Sequence, residues 1–133
     1  MKRVTGIGGI FFKSKNPEQL RDWYRKHLGI ESDNWGGFSF QWRDDPQGLD
    51  GQTLWTVFPH DTKHFEPSKA PFMINFRVED LDWLLTQLRN EGIEIDPKTE
   101  ATEATEYGKF GWIMDPDGNR IELWEPPPAA ATP

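Results

Sequence analysis

Two stretches of the chain carry apolar residues at helical spacing, and the second repeats the layout of the first. The first has apolar side chains at 20, 23, 24 and 28 and ends at Gly29. The second has them at 81, 84, 85 and 88 and ends at Gly92, which lies 63 positions further on. These spacings predict helices near 17–28 and 81–91. The two halves are therefore predicted to be structural repeats.

Short segments with a period of two predict the strands around these helices. In residues 37–42, for example, Phe38 and Phe40 alternate with Ser39 and Gln41, which is typical of a half-buried strand. Strands are predicted at 4–13, 37–42, 53–58, 72–78, 107–114 and 120–125. Two modules, about 4–59 and 72–125, are predicted within one domain, with a linker over 59–71 and a disordered tail over 126–133.

The ends of the predicted helices and turns carry the expected residues. Asn16 precedes Pro17 and Asp80 precedes Leu81, so both helices have an N-capping side chain. The segment 115–119, Asp-Pro-Asp-Gly-Asn, predicts a tight turn between the last two strands. Five aromatic residues are predicted to lie in the core by their pattern: Trp23, Tyr24, Phe38, Phe40 and Trp42.

Composition narrows the class of protein. The chain has 133 residues, 14% of them aromatic with seven tryptophans, and a net charge of −7. It has no run of lysine and arginine, so nucleic acid is not an expected partner, and no apolar run of membrane length. The absence of cysteine excludes disulfides and thiolate chemistry. A cytoplasmic protein is expected.

Three motifs together resemble the vicinal-oxygen-chelate superfamily of glyoxalases, bleomycin-resistance proteins and extradiol dioxygenases. They are Asn16-Pro17-Glu18 with Trp23-Tyr24 and Leu28-Gly29-Ile30, then Arg77 to Leu81, and Asp115 to Leu123. The resemblance covers residues 4–125. It implies an α+β fold of two βαβββ modules, which form a half-open, barrel-like sheet with a central cavity. It also implies a homodimer.

Metal-using members of this superfamily hold a divalent ion at four positions. Counting seven residues back from Asn16 and from Asp80 places two of them at Gly9 and Met73. The resemblance places the third at Glu122 on the last strand of the second module, and an offset of about 64 places the fourth near Phe58. Of these side chains, Glu122 alone offers an oxygen ligand, and a thioether is too soft for the ions concerned. No metal and no other cofactor are therefore predicted.

Glu122 is the candidate catalytic residue, because it points away from Ile121 and Leu123. It is interpreted either as a carboxylate lining the cavity or as the ion-pair partner of Arg120 or Arg77. Asn75 and Arg77 share one face of their strand and are candidate ligand-binding residues, with Arg77 as a planar donor.

Four further residues complete the candidate ligand-binding set. Trp124 has the same parity as Glu122, which places it either in the cavity or at a dimer interface. Met73 and Gln41 face the cavity by parity. His60 and His64 have the i, i+4 spacing of a zinc pair, but Pro59 and Pro67 bracket them, which favours a solvated loop in which His60 overhangs the cavity.

Two functions of the cavity are compatible with these residues, and a domain used mainly for dimer-based assembly is a third possibility. The first is a protein of the bleomycin-resistance kind that binds a small aromatic or cationic molecule in the inter-module cavity without a metal. The second is a metal-dependent glyoxalase-like lyase or isomerase, or a dioxygenase, in which Glu122 abstracts a proton. Elemental analysis of the purified protein distinguishes them.

Overall fold

Six strands and two α-helices, with a short 3-10 helix at Trp42–Asp44, form the fold in the computed structural model, where residues 3–44, 50–98 and 105–127 are described. Residues 128–133 of the predicted tail lie outside these ranges. The α+β class is confirmed. The elements in chain order are β1 (Val4–Ser14), α1 (Pro17–Leu28), β2 (Gly37–Gln41), β3 (Gln52–Pro59), β4 (Phe72–Val78), α2 (Leu81–Asn90), β5 (Lys109–Met114) and β6 (Arg120–Glu125).

The chain divides into two compact units. The N-terminal unit is Ile7–Ile74, and the C-terminal unit combines Met1–Gly6 with Asn75–Pro133. Within the described ranges each module runs strand, helix, strand, strand, one strand fewer after the helix than βαβββ. In the C-terminal unit, a single antiparallel bridge joins Ile95 to Ile113 of β5. That bridge marks where a third strand after the helix would pair.

The helix ends follow the capping signals in the sequence. The Asn16 side chain accepts a hydrogen bond from the Gln19 amide at 3.1 Å, and Gly29 closes α1 in the left-handed conformation with φ 70°. The Asp80 carboxylate accepts from the Trp83 amide at 3.0 Å and opens α2. Each contact satisfies a backbone group that a helix end leaves unpaired.

In the N-terminal unit the strand order is β2-β3-β1, with β1 parallel and β2 antiparallel to β3. α1 contacts this sheet through Tyr24, whose ring lies 4.8 Å from Trp55 and 6.5 Å from Phe12. Trp23 is 51% and Phe40 42% exposed. Their prediction as core residues is wrong, because α1 covers only the part of the sheet that carries Phe12 and Trp55.

In the C-terminal unit the strand order is β4-β6-β5. α2 packs tightly on one face of this sheet and forms the buried core of the unit: Val78, Leu81, Leu84, Leu85 and Leu123. Each of these side chains is at most 4% exposed. These buried side chains anchor α2 on that face of the sheet.

The linker between β3 and β4 is more structured than predicted. Phe65 is fully buried and its ring lies 5.1 Å from that of Phe58. His64 stacks on Phe58, with ring centroids 5.2 Å apart and planes within 8°. The prediction that His64 is solvated is therefore wrong. His60 is exposed.

Candidate functional site

The sheet face opposite α2 in the C-terminal unit carries the candidate site. On β6, Leu123 packs in the core beneath α2, so its neighbours Glu122 and Trp124 point to the other face. The β5 register sets Trp112 opposite Glu122 and Phe110 opposite Trp124. We call this surface the polar face and define it by seven residues: Asn75, Arg77, Phe110, Trp112, Arg120, Glu122 and Trp124.

Glu122 is held at the centre of the polar face by donors from both sides. Its Oε1 accepts a hydrogen bond from Asn75 Nδ2 at 2.7 Å. Its Oε2 accepts from the Trp112 indole Nε1 at 2.9 Å. The residue is 2% exposed. A buried carboxylate is tolerated when it is hydrogen-bonded, and these two neutral donors fix the direction of both of its oxygens.

Asn75 has one acceptor that the fold does not use. The residue is fully buried, and its Oδ1 has no hydrogen-bond partner within the described part of the chain. The amide orientation follows from its neighbour, since Nδ2 faces the Glu122 carboxylate. A buried acceptor without a donor costs about 1–3 kcal/mol. This position therefore presents two adjacent acceptors that a donor-rich group would satisfy.

Arg77 and Trp124 form the next row of the polar face. The Arg77 guanidinium lies over the Trp124 ring at 5.8 Å, and burial lowers the Arg77 pKa from its usual value. The Trp124 indole donates to the Tyr107 carbonyl at 2.7 Å, and the residue is 3% exposed. Trp124 lies on the same face of β6 as Glu122, as its parity predicted. The cation over its ring is Arg77 of the protein itself and not a ligand.

Arg120 lies on the other side of Glu122 along β6. Its Nη1 donates to Asp96 Oδ2 at 2.7 Å, and the side chains are 4% and 22% exposed, respectively. Its guanidinium also lies over the Trp112 ring at 5.2 Å. The hydrogen bond from Arg120 lowers the Asp96 pKa below its usual value. Arg120 is therefore the ion-pair partner of Asp96, whereas the sequence had left its pairing with Glu122 open.

The structure thus brings four of the seven predicted site residues onto one surface: Asn75, Arg77, Glu122 and Trp124. Three others belong to the N-terminal unit. Met73 is 1% exposed, and His60 is exposed at the end of β3. Gln41 is half-buried, and its Nε2 donates to Gln52 Oε1 at 2.7 Å and to Ser39 Oγ at 3.0 Å.

The strand register adds a candidate for the fourth metal position, which the count from the sequence placed near Phe58. Asn16 and Asp80 open the two helices, so Phe11 is the counterpart of Asn75 by its distance from the helix cap. Phe11 lies opposite Thr56 on β3, and the Asn75 side chain bonds to that of Glu122. Thr56, two residues before Phe58, is therefore included in the donor set.

The donor set does not fit a divalent metal ion. A threonine hydroxyl, a glycine, a thioether and one carboxylate are a poor set for such an ion. Within the described ranges, no group of three or more His, Cys, Asp or Glu side chains is arranged to hold a metal. The absence of a bound metal stays a prediction.

A concave surface lies beside α1 in the N-terminal unit. It has a volume of about 440 Å³ and is lined by residues from the end of β1, the α1 cap and α1 itself, including Leu20, Trp23 and Tyr24. The polar groups at its rim bond to one another, since Asn16 Nδ2 donates to Gln19 Oε1 at 3.1 Å. No predicted site residue lines it.

Sequence reasoning missed Trp112 as the second donor to Glu122. The sequence contained a signal for it in the 115–119 turn. This turn sets Met114 opposite Arg120, and hence Trp112 opposite Glu122. Asp96 was missed too, and it carries no comparable signal, since it lies 24 residues from Arg120 in a segment without regular periodicity.

The sequence matches the model of the Glyoxalase/Bleomycin resistance protein/Dioxygenase superfamily over residues 6–123. The chain belongs to this superfamily, which confirms the resemblance seen in its motifs. A comparison with curated protein sequences finds no match. No helix among the described residues is long and apolar enough to cross a membrane.

Solved structures share the fold at low sequence identity. Methylmalonyl-CoA epimerase from Mycobacterium tuberculosis is 23% identical with a TM-score of 0.59, and the match covers 98% of this chain and 94% of that one. A methylmalonyl-CoA epimerase in complex with methylmalonyl-CoA and NH4+ is 18% identical with a TM-score of 0.64, covering 98% and 99%. NAD-dependent benzaldehyde dehydrogenase from Legionella pneumophila is 16% identical, with a TM-score of 0.56 and coverage of 90% and 98%.

Proposed function

We propose that this protein binds a small aromatic cation on the polar face, through Glu122 and Asn75, without a divalent metal. The observation that carries the proposal is the pair of adjacent acceptors, the Glu122 carboxylate and the unpartnered Asn75 Oδ1. Both belong to side chains at most 2% exposed. An ammonium or amidinium group carries N–H donors and a positive charge, and so matches both acceptors at once.

The surroundings of this pair favour an aromatic body on the ligand. Trp112 and Phe110 are half-buried on β5, and their rings lie 6.4 Å apart with planes within 11°. Two nearly parallel rings offer a flat apolar surface beside the carboxylate, which suits a planar ligand. The net charge of −7 also attracts cations over longer distances.

Two matched probes test the proposal. Benzamidine and benzamide have the same ring and nearly the same shape, but only benzamidine is charged. Calorimetric titration should show tighter binding of benzamidine to the wild-type protein. Glu122→Gln should weaken benzamidine by about 1.5–3 kcal/mol, the value of a hydrogen bond to a charged group, and should leave benzamide unchanged. Glu94→Gln, which removes an exposed carboxylate in the same unit, is the control.

Equal affinity for the two probes in the wild-type protein would refute the proposal. An equal loss in Glu122→Gln and Glu94→Gln would refute it too, because the effect would then come from net charge alone. Circular dichroism of both variants shows that they keep the fold. We also expect a homodimer in the cytoplasm, and analytical ultracentrifugation checks the oligomeric state.

The alternative is an enzyme that moves a proton next to a carbonyl, with Glu122 as the base. It is favoured by the fold neighbours that are named methylmalonyl-CoA epimerases. Both oxygens of Glu122 accept hydrogen bonds from within the protein, which would hold the carboxylate in place for either function. Incubation with methylmalonyl-CoA in D2O, followed by mass spectrometry, should show no deuterium uptake above the rate without protein. Uptake that Glu122→Gln abolishes would establish the alternative.

A further inference from the structure

Arg120 and Glu122 are neighbours on the polar face with opposite charges. They are two residues apart on β6, which places them about 7 Å apart along the strand. The Arg120 side chain is 4% exposed, and Nη1 bonds to Asp96. Its Nε is buried without a hydrogen-bond partner among the described residues. The guanidinium therefore retains a donor beyond those that Asp96 and the Trp112 ring engage.

The Arg120 guanidinium needs an anionic partner, and without Asp96 it would have to find another one. Arginine stays protonated in proteins, and a buried charge is very costly unless it is paired. Asp96 supplies that pairing, and the lowered pKa of Asp96 shows the same attraction from the carboxylate's side. Glu122 is the next carboxylate along the same face. A guanidinium released by Asp96 would therefore turn toward Glu122.

We infer that Asp96 is a specificity-determining positioning residue, which holds Arg120 away from Glu122 and so keeps that carboxylate able to bind a cation. The inference rests on the proposed function of the polar face. It adds that cation selectivity depends on a residue that does not contact the ligand. It also assigns Arg120 the role of a potential internal competitor for the ligand's cationic group.

A double-mutant cycle tests the inference with the same two probes. Asp96→Asn should weaken benzamidine about tenfold, the lower end for losing a hydrogen bond to a charged group, and should leave benzamide unchanged. Arg120→Met removes the competing charge, so the double variant Asp96→Asn/Arg120→Met should recover wild-type benzamidine affinity within about twofold. Asp96→Glu, which keeps the charge, should retain the preference for benzamidine.

The outcomes separate this inference from the proposed function. A wild-type protein without preference for benzamidine overturns both. A wild-type preference that persists in Asp96→Asn overturns the inference alone. A double variant as weak as Asp96→Asn also overturns it, since a merely structural role of Asp96 is not rescued by removing Arg120. If Asp96→Asn does not fold, the single variant Arg120→Met tests the inference instead. Weaker benzamidine binding in Arg120→Met would overturn it, because removing a cation that competes with the ligand for Glu122 cannot weaken the binding of that ligand.

Discussion

Replacing Asp96 with asparagine should destabilise the fold, because the buried Arg120 guanidinium loses its ion-pair partner and regains only part of that interaction by turning toward Glu122. Removing one partner of a buried ion pair typically costs 3–5 kcal/mol. Arg120 is 4% exposed but Asp96 is 22% exposed, so water partly replaces the lost charge. Asparagine also keeps an oxygen that can accept the bond now made by the Lys98 amide. We therefore expect a loss of about 3 kcal/mol, which a typical domain survives.

Urea unfolding of the wild-type protein and Asp96→Asn at neutral pH measures this loss. The matched control is Asp82→Asn, which breaks a pair with Lys109 at 3.1 Å in which Asp82 is 69% exposed. Exposed pairs contribute little, so the control should unfold like the wild-type protein. If Asp96→Asn unfolded at the same urea concentration as the control, the Asp96–Arg120 pair would not stabilise the fold.

Acidification gives a second test of this stability loss, because the Asp96 pKa fixes the direction in which the loss changes with pH. The folded-state pKa of Asp96 lies below its ordinary value of 3.8. A depressed carboxyl pKa contributes stability that is present above the unfolded value and is lost as the pH falls through the folded value. The difference in the free energy of unfolding between the wild-type protein and Asp96→Asn should therefore be constant near neutrality and shrink below about pH 4. A difference that does not change with acidification would contradict the assignment.

The remaining predictions concern helix packing, capping and close backbone contacts. Leu84→Ala should cost about 2–5 kcal/mol in urea unfolding, because Leu84 lies on the buried face of α2 and is 3% exposed. Leu20→Ala, beside the α1 cleft, should cost about 1 kcal/mol. Asn16→Ala removes the α1 cap and should cost about 1 kcal/mol. Gly29→Ala should cost about 1–2 kcal/mol for its left-handed φ of 70°. Gly37→Ala should cost more, since a Cβ there would clash with the Trp55 carbonyl oxygen, and thermal melts rank the two glycine variants.

Local signals predicted the elements well, because the chemistry that sets them is local. Asn16 and Asp80 cap helices where the sequence placed them. The 115–119 turn fixes the pairing of β5 and β6, and strand parity put Glu122 on the face opposite α2. Burial was less predictable, since it depends on how much of a sheet a helix covers. Trp23 has the spacing of a core residue, yet half of its surface is exposed.

The chemistry of the candidate site was predicted only in part for the same reason. Side chains placed by strand parity, such as Asn75 and Glu122, were found from the sequence. The bond between them and the unpartnered Asn75 oxygen depend on which strands are neighbours. The Asp96–Arg120 pair joins an irregular segment to β6, and no periodicity in the sequence indicates it.

The most direct test of the proposed function is the indole N–H resonance of Trp112, which donates to Glu122 at 2.9 Å. A Trp112→Phe variant identifies this signal in a proton–nitrogen correlation spectrum. Benzamidine should shift it progressively in the wild-type protein, benzamide should not, and Glu122→Gln should abolish the benzamidine response. A titration in which benzamidine saturates the protein but leaves the Trp112 signal in place would contradict cation binding at Glu122.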